Sequence, residues 1–107
     1  MRQRFVEDDV KNVPEEPGIF SLFQESDLVY IGRTEPRTTL RSELERALKV
    51  AMADENMEAT HFTYELTPSP KTRAGEELRS YFETWGRLPV YNRPQKLRLE
   101  RSAEVRR

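Results

Sequence analysis

The stretch VPEEPGIFSLFQESDLVYIG, residues 13–32, decides the fold of this chain. Two short apolar runs rich in aromatic and β-branched residues, Gly18–Phe23 and Leu28–Ile31, flank a polar segment. Such runs, bounded by proline, glycine and polar turn residues, predict a β-hairpin. Pro14 and Pro17 define where it starts, because proline fixes φ and cannot donate a backbone hydrogen bond. Since only about four residues join the two strands, the strands must be antiparallel.

After the hairpin, the spacing of the apolar residues changes to that of a helix. Leucine and alanine side chains recur on one stripe across Leu40–Ala53, which predicts an amphipathic helix. Thr38 or Thr39 is placed to cap its start. The segment Ala59–Leu66 then alternates between apolar and polar side chains, so we predict a third, half-buried strand.

A second long helix is predicted from about Lys71 to Trp85, and Gly86 is placed to end it. Its predicted buried face consists of apolar side chains at helical spacing: Ala74, Leu78, Tyr81 and Trp85. We expect 88–92 to be an extended segment that returns to the sheet, and 1–12 to form a short helix at one sheet edge. The predicted fold class is therefore α/β: a small three-stranded antiparallel sheet flanked by helices.

Composition limits the classes of protein that this chain can belong to. A length of 107 residues fits a single domain, which we place at residues 1–92. The absence of cysteine excludes disulfides, thiolate metal sites and a cysteine nucleophile. No run approaches the roughly 20 apolar residues of a membrane span, and no apolar region follows the charged start as in a signal peptide. We therefore expect a cytoplasmic protein that has no membrane partner.

The charge is distributed unevenly along the chain. Residues 93–107 contain six basic and two acidic residues, a net charge of +4, so the other 92 residues carry −5 of the total of −1. A basic tail of this kind can contact phosphates without sequence preference. A solvated, disordered terminus is the equally weighted alternative.

Two triplets of the hairpin, together with a later motif, resemble those of a known family. The triplets are Gly18-Ile19-Phe20 and Tyr30-Ile31-Gly32, preceded by Pro14 and Pro17 and followed by Pro89-Val90-Tyr91-Asn92. This combination, which covers roughly residues 13–92, resembles the GIY-YIG endonuclease superfamily, including the nuclease domain of the bacterial nucleotide-excision-repair incision subunit. The resemblance implies the same small α/β fold.

The resemblance also implies a function and a set of site residues. Members of the family hydrolyse phosphodiester bonds of DNA or RNA with one Mg²⁺ or Mn²⁺ ion, so DNA is the first expected partner and RNA the second. Tyr30 matches the second tyrosine of the family, and Asn92 matches its closing asparagine. Glu77, at the border of the predicted buried helix face, is our choice as the metal ligand. The residues considered for the phosphate-binding arginine are Arg33, Arg37 and Arg41.

Two departures from the family pattern leave the function open. Phe20 stands where the first tyrosine belongs, and a phenyl ring can neither accept a proton nor hold a water. Glu43 stands at the expected position of the helix arginine. One interpretation is a metal-dependent endonuclease, and the other is a catalytically inactive module of the same fold that binds nucleic acid or a protein partner.

Overall fold

The computed structural model describes residues 2–54 and 57–93, and they form an α/β domain around one antiparallel sheet. The strands are β1 (Gln3–Arg4), β2 (Gly18–Gln24), β3 (Asp27–Arg33) and β4 (His61–Leu66). The helices are α1 (Glu7–Val10), α2 (Leu40–Ala53), α3 (Pro70–Trp85) and a 3₁₀ helix (Val90–Asn92). None of the helices in this part of the chain combines the length and the apolar content needed to cross a bilayer.

The sheet has four strands in the order β1-β4-β2-β3, so the predicted number of three strands was too low by one. The additional strand, β1, pairs only with β4 and contains two polar residues, Gln3 and Arg4. An alternating pattern needs at least four residues to be recognised, which is why the sequence did not predict this strand. The predicted short helix follows it as α1.

The predicted hairpin is confirmed, and its register fixes which side chains share a face. Phe20 lies opposite Gly32, and Leu22 lies opposite Tyr30. Because paired residues of antiparallel strands point to the same face and strand neighbours point to opposite faces, these side chains all face α2. Ile31 and its strand-β2 neighbours on the other face point towards α3.

Helix α2 begins and ends where the sequence predicts. Thr39 is its N-cap: the Thr39 hydroxyl accepts a hydrogen bond from the Ser42 N–H, and the Ser42 hydroxyl accepts one from the Thr39 N–H. Leu40 and Leu44 are fully buried in the main core, which α2 forms with the hairpin and β4. The helix thus holds the face of the sheet that carries Phe20 and Tyr30.

Helix α3 covers the opposite face, where Ala74 and Leu78 pack against Ile19 and Ile31. Gly86, in the left-handed conformation (φ 73°), ends the helix as predicted. One part of the predicted buried face is wrong, because Trp85 is 57% exposed. The apolar cluster between α3 and the sheet includes Ala74 and Leu78 and does not reach Trp85.

The segment after α3 returns to the sheet as predicted, but Val90–Asn92 forms a 3₁₀ helix and not the predicted extended segment. It lies beside β3, the edge strand. Of the predicted basic tail, only Arg93 belongs to the described residues.

Candidate functional site

The hairpin places two aromatic rings beneath the start of α2. Phe20 and Tyr30 are both 3% exposed, and their ring centroids are 6.0 Å apart. They form one wall of a cavity of about 300 Å³, which we call the Tyr30 pocket. Its lining consists of Phe20, Tyr30, Arg33, Glu35, Glu43 and Arg46.

Gly32 lets these two rings approach the backbone of β3 closely. A Cβ atom at this position would lie 2.7 Å from Cε1 of Phe20 and 2.8 Å from Cε2 of Tyr30, closer than side chains approach one another. The glycine of the second triplet is therefore required by close packing. Its effect on the Tyr30 pocket comes through the positions of these two rings, which line the pocket.

The charged side chains of the Tyr30 pocket form two ion pairs. Glu43 is buried, and its carboxylate accepts a hydrogen bond of 2.9 Å from Nη2 of Arg46. Nη2 of Arg33 lies 3.3 Å from Oε2 of Glu35. Each guanidinium group of the pocket thus already has a carboxylate partner, and a phosphate would have to displace or share it.

Arg46 is a pocket residue that the sequence reasoning missed. The family pattern directs attention to the position of Glu43, and Arg46 is three residues further along α2. Residues at this spacing lie on the same helical face, so the Glu43–Arg46 pair was the available signal. The structure therefore brings a helix guanidinium to the Tyr30 pocket from one turn later than the pattern predicts.

Of the three arginines considered for phosphate binding, only Arg33 lines the Tyr30 pocket. Nε of Arg41 donates to the Val13 carbonyl at 2.8 Å, and its Nη1 pairs with Glu15 at 3.1 Å. Arg41 thereby joins α2 to the chain that enters the hairpin. Arg37 is exposed in the loop before α2.

Asn92 binds the edge of the hairpin strand next to Tyr30. Its Oδ1 accepts from the Ile31 N–H at 2.8 Å, and its Nδ2 donates to the Ile31 carbonyl at 3.0 Å. One side-chain amide thus satisfies both backbone groups that a further strand would have paired. The structure therefore places the Asn92 side chain, on the 3₁₀ helix, against β3 at the residue next to Tyr30, where its contact is structural.

Glu77 lies on α3, across the sheet from Tyr30. Its Oε2 is 2.7 Å from Nη1 of Arg73, and the same guanidinium contacts Glu65 at 2.9 Å and Glu76 at 3.5 Å. The hydrogen bonds with Glu65 and then Glu77 raise the pKa of Arg73 above its ordinary value. Arg73 is therefore a permanent cation at the centre of three carboxylates.

The described residues do not fit the metal site that the family resemblance implies. Mg²⁺ binds carboxylate oxygens that are free to face it, whereas the Glu77 carboxylate is held by Arg73 on the face away from the Tyr30 pocket. Within residues 2–54 and 57–93, no three histidine, cysteine, aspartate or glutamate side chains are grouped as metal ligands.

Comparisons of the chain with models of protein families, with curated proteins and with solved structures find no match. The functional hypothesis therefore depends on the two hairpin triplets, the Tyr30 pocket and the contact of Asn92. Chemically, the pocket offers an aromatic wall and two neutralised guanidinium groups. Such a site is suited to contact a polar ligand weakly, because both of its carboxylates are already paired with guanidinium groups.

Proposed function

We propose that this protein is a GIY-YIG-like domain that binds nucleic acid without cutting it. The observation that carries the proposal is the composition of the Tyr30 pocket. Hydrolysis of a phosphodiester requires an activated water and positive charge directed at the developing oxyanion. Phe20 supplies no proton acceptor, and the guanidinium groups of Arg33 and Arg46 are each paired with a glutamate.

Two features support nucleic acid as the partner. The first is the likeness of the hairpin triplets to a family that acts on DNA. The second is the charge of residues 93–107, +4 against −5 for the rest of the chain. Lysine and arginine side chains that neutralise phosphates release counterions, which gives binding without sequence preference and with strong salt dependence. A protein partner is the alternative for the same module.

The test uses the full chain with fluorescein-labelled single-stranded, nicked and branched DNA and with single-stranded RNA, in the presence of Mg²⁺ or Mn²⁺. We expect fluorescence anisotropy to report binding that weakens steeply with salt, and denaturing gels to show intact strands. A full-chain variant with glutamine in place of five tail residues should lose most of the affinity. These residues are Lys96, Arg98, Arg101, Arg106 and Arg107.

The matched control replaces exposed basic residues of the domain by glutamine: Lys49, Lys71 and Arg79. We expect a smaller loss of affinity per charge removed than in the tail variant. Absence of binding to every oligonucleotide would contradict the proposal, as would cutting by the wild type that Tyr30→Phe abolishes.

A metal-dependent endonuclease is the second candidate, and one observation favours it. The guanidinium group of Arg46 lines the same pocket as Tyr30, so a cation is available one helical turn from the expected position. For this candidate, cutting must require Mg²⁺ or Mn²⁺ and must be lost in Tyr30→Phe and in Arg46→Gln. Arg79→Gln, on the exposed side of α3, is the control that should keep it. Cutting that survives both changes would point to a contaminating nuclease.

A further inference from the structure

The last turn of α3 exposes aromatic side chains beside a groove. Tyr81 and Trp85 lie one turn apart with ring centroids separated by 6.1 Å, and Trp85 is more than half exposed. They line a groove of about 470 Å³ together with the β2–β3 turn and the segment that follows α3. This volume is within the range of ligand sites. We call it the aromatic groove.

The aromatic groove differs from the Tyr30 pocket in its electrostatics. Two arginines, Arg87 and Arg93, line it. Nε of Arg93 donates to the Leu88 carbonyl at 3.0 Å, which orients the guanidinium group without neutralising it. Among the residues that the structure describes, neither arginine forms an ion pair, and Asp27 is the acidic residue of the lining. The groove therefore keeps positive charge available to a ligand.

The position of the groove along the chain adds to this charge. Arg93, which lines it, is directly followed in the sequence by the basic residues of 94–107. Arg93 is thus the described residue from which the most basic part of the sequence continues. The net charge of −5 over residues 1–92 makes the remainder of the surface unattractive to the same ligand.

We propose that the aromatic groove binds single-stranded nucleic acid, with a base stacked on Trp85 and the adjacent phosphates at Arg87 and Arg93. The inference rests on the proposed function and assigns it a surface separate from the Tyr30 pocket. Exposed aromatic rings next to unpaired cationic groups are the combination that single-strand binding proteins use. A duplex keeps its base faces stacked inside, so an indole on a protein surface selects unpaired bases.

Trp85 is the single tryptophan of the chain, so its fluorescence reports on this groove directly. Titration of the full chain with a labelled oligothymidine should quench the tryptophan emission with the same Kd that anisotropy gives. Trp85→Ala should raise this Kd by about 5- to 150-fold, the loss of one base stack. Arg87→Ala should lower the slope of log Kd against log salt concentration by about 0.7, the loss of one phosphate contact to a single strand.

Phe82→Ala is the matched control, because Phe82 is 52% exposed on the same helix and lies outside the lining of the groove. It should bind like the wild type. Trp85→Tyr should restore most of the affinity lost in Trp85→Ala, which separates loss of stacking from loss of folding. Thermal unfolding followed by circular dichroism checks each variant.

The possible outcomes distinguish the two proposals. If the wild type binds the oligonucleotide while Trp85 emission and the affinity of Trp85→Ala stay unchanged, the groove assignment is overturned and the proposed function stands. If no oligonucleotide binds, the proposed function is overturned, and the groove assignment that rests on it is overturned as well. If a polyglutamate peptide quenches Trp85 and the oligonucleotide does not, the groove is a site for acidic polypeptides and the nucleic-acid assignment is overturned.

Discussion

The two faces of the sheet differ in how completely their helices cover them. On the α2 face, the largest side chains are fully buried: Leu22, Leu40, Leu44 and Phe62. On the α3 face, the buried cluster is Ile19, Ile31 and Ala74, with Leu28 and Leu78 only partly covered. Towards its end, α3 exposes Phe82 and Trp85. One face is thus a closed core and the other a thin layer with aromatic rings at its margin.

This difference separates stability from binding. The α2 face supplies most of the apolar burial, and it also fixes the hairpin and the Tyr30 pocket. The α3 face contributes less burial, so its side chains can be exchanged with smaller changes in the free energy of unfolding. Exposed aromatic rings add apolar surface in contact with water, which is unfavourable unless a ligand covers them. The exposed rings at the end of α3 are therefore consistent with a binding surface.

The largest expected effect is the difference in stability between two variants, each with one leucine truncated on a different face of the sheet. Leu44→Ala removes a fully buried side chain from the main core, and we expect it to lower the free energy of unfolding by about 2–5 kcal/mol. Leu78→Ala removes the same atoms from a partly exposed site, so the loss should be less than half as large. Urea unfolding followed by circular dichroism measures both. Equal losses would contradict the difference between the faces.

Much of the fold follows from sequence patterns that are local. The hairpin was predictable because its aromatic and β-branched runs are bounded by proline and glycine, and α2 because its stripe is regular over four turns. What the sequence did not give was decided by distant contacts. The two-residue strand β1 pairs with β4 alone, and the exposure of Trp85 depends on how far along α3 the cluster with Ile19 and Ile31 extends.

The site was less predictable than the fold. Tyr30, Arg33 and Asn92 could be chosen from motif positions, since the hairpin fixes the first two and the return of the chain to β3 fixes the third. Arg73 and Glu77 are four residues apart on α3, a spacing at which helix side chains pair, so their ion pair was an alternative that the sequence left open. The contact of Glu65, on β4, with the same guanidinium group could not be predicted from local spacing. The aromatic groove depends likewise on a turn and a helix end that are far apart in sequence.

A pair of glycine substitutions separates close packing at the Tyr30 pocket from helix propensity on the exposed side of α3. Gly32→Ala places a methyl group against the rings of Phe20 and Tyr30, and we expect a destabilisation of about 1–3 kcal/mol. Gly75→Ala, in the middle of α3, meets nothing within 4 Å and should stabilise the protein by about 1 kcal/mol through helix propensity. Urea unfolding should therefore show a lower free energy of unfolding for Gly32→Ala and a higher one for Gly75→Ala. A neutral Gly32→Ala would show that the rings of the Tyr30 pocket can move aside.

The smallest expected change in the free energy of unfolding comes from the residues that begin the two long helices. Thr39 and Ser42 exchange side-chain and backbone hydrogen bonds at the start of α2, so Thr39→Ala should cost about 1 kcal/mol. Ser69, at the start of α3, makes no side-chain cap bond, and Pro70 follows it with no N–H to satisfy. Ser69→Ala should therefore change the free energy of unfolding by less than about 0.5 kcal/mol. A larger cost for Ser69→Ala than for Thr39→Ala would mean that α3, and with it the aromatic groove, is held more firmly than its thin packing indicates.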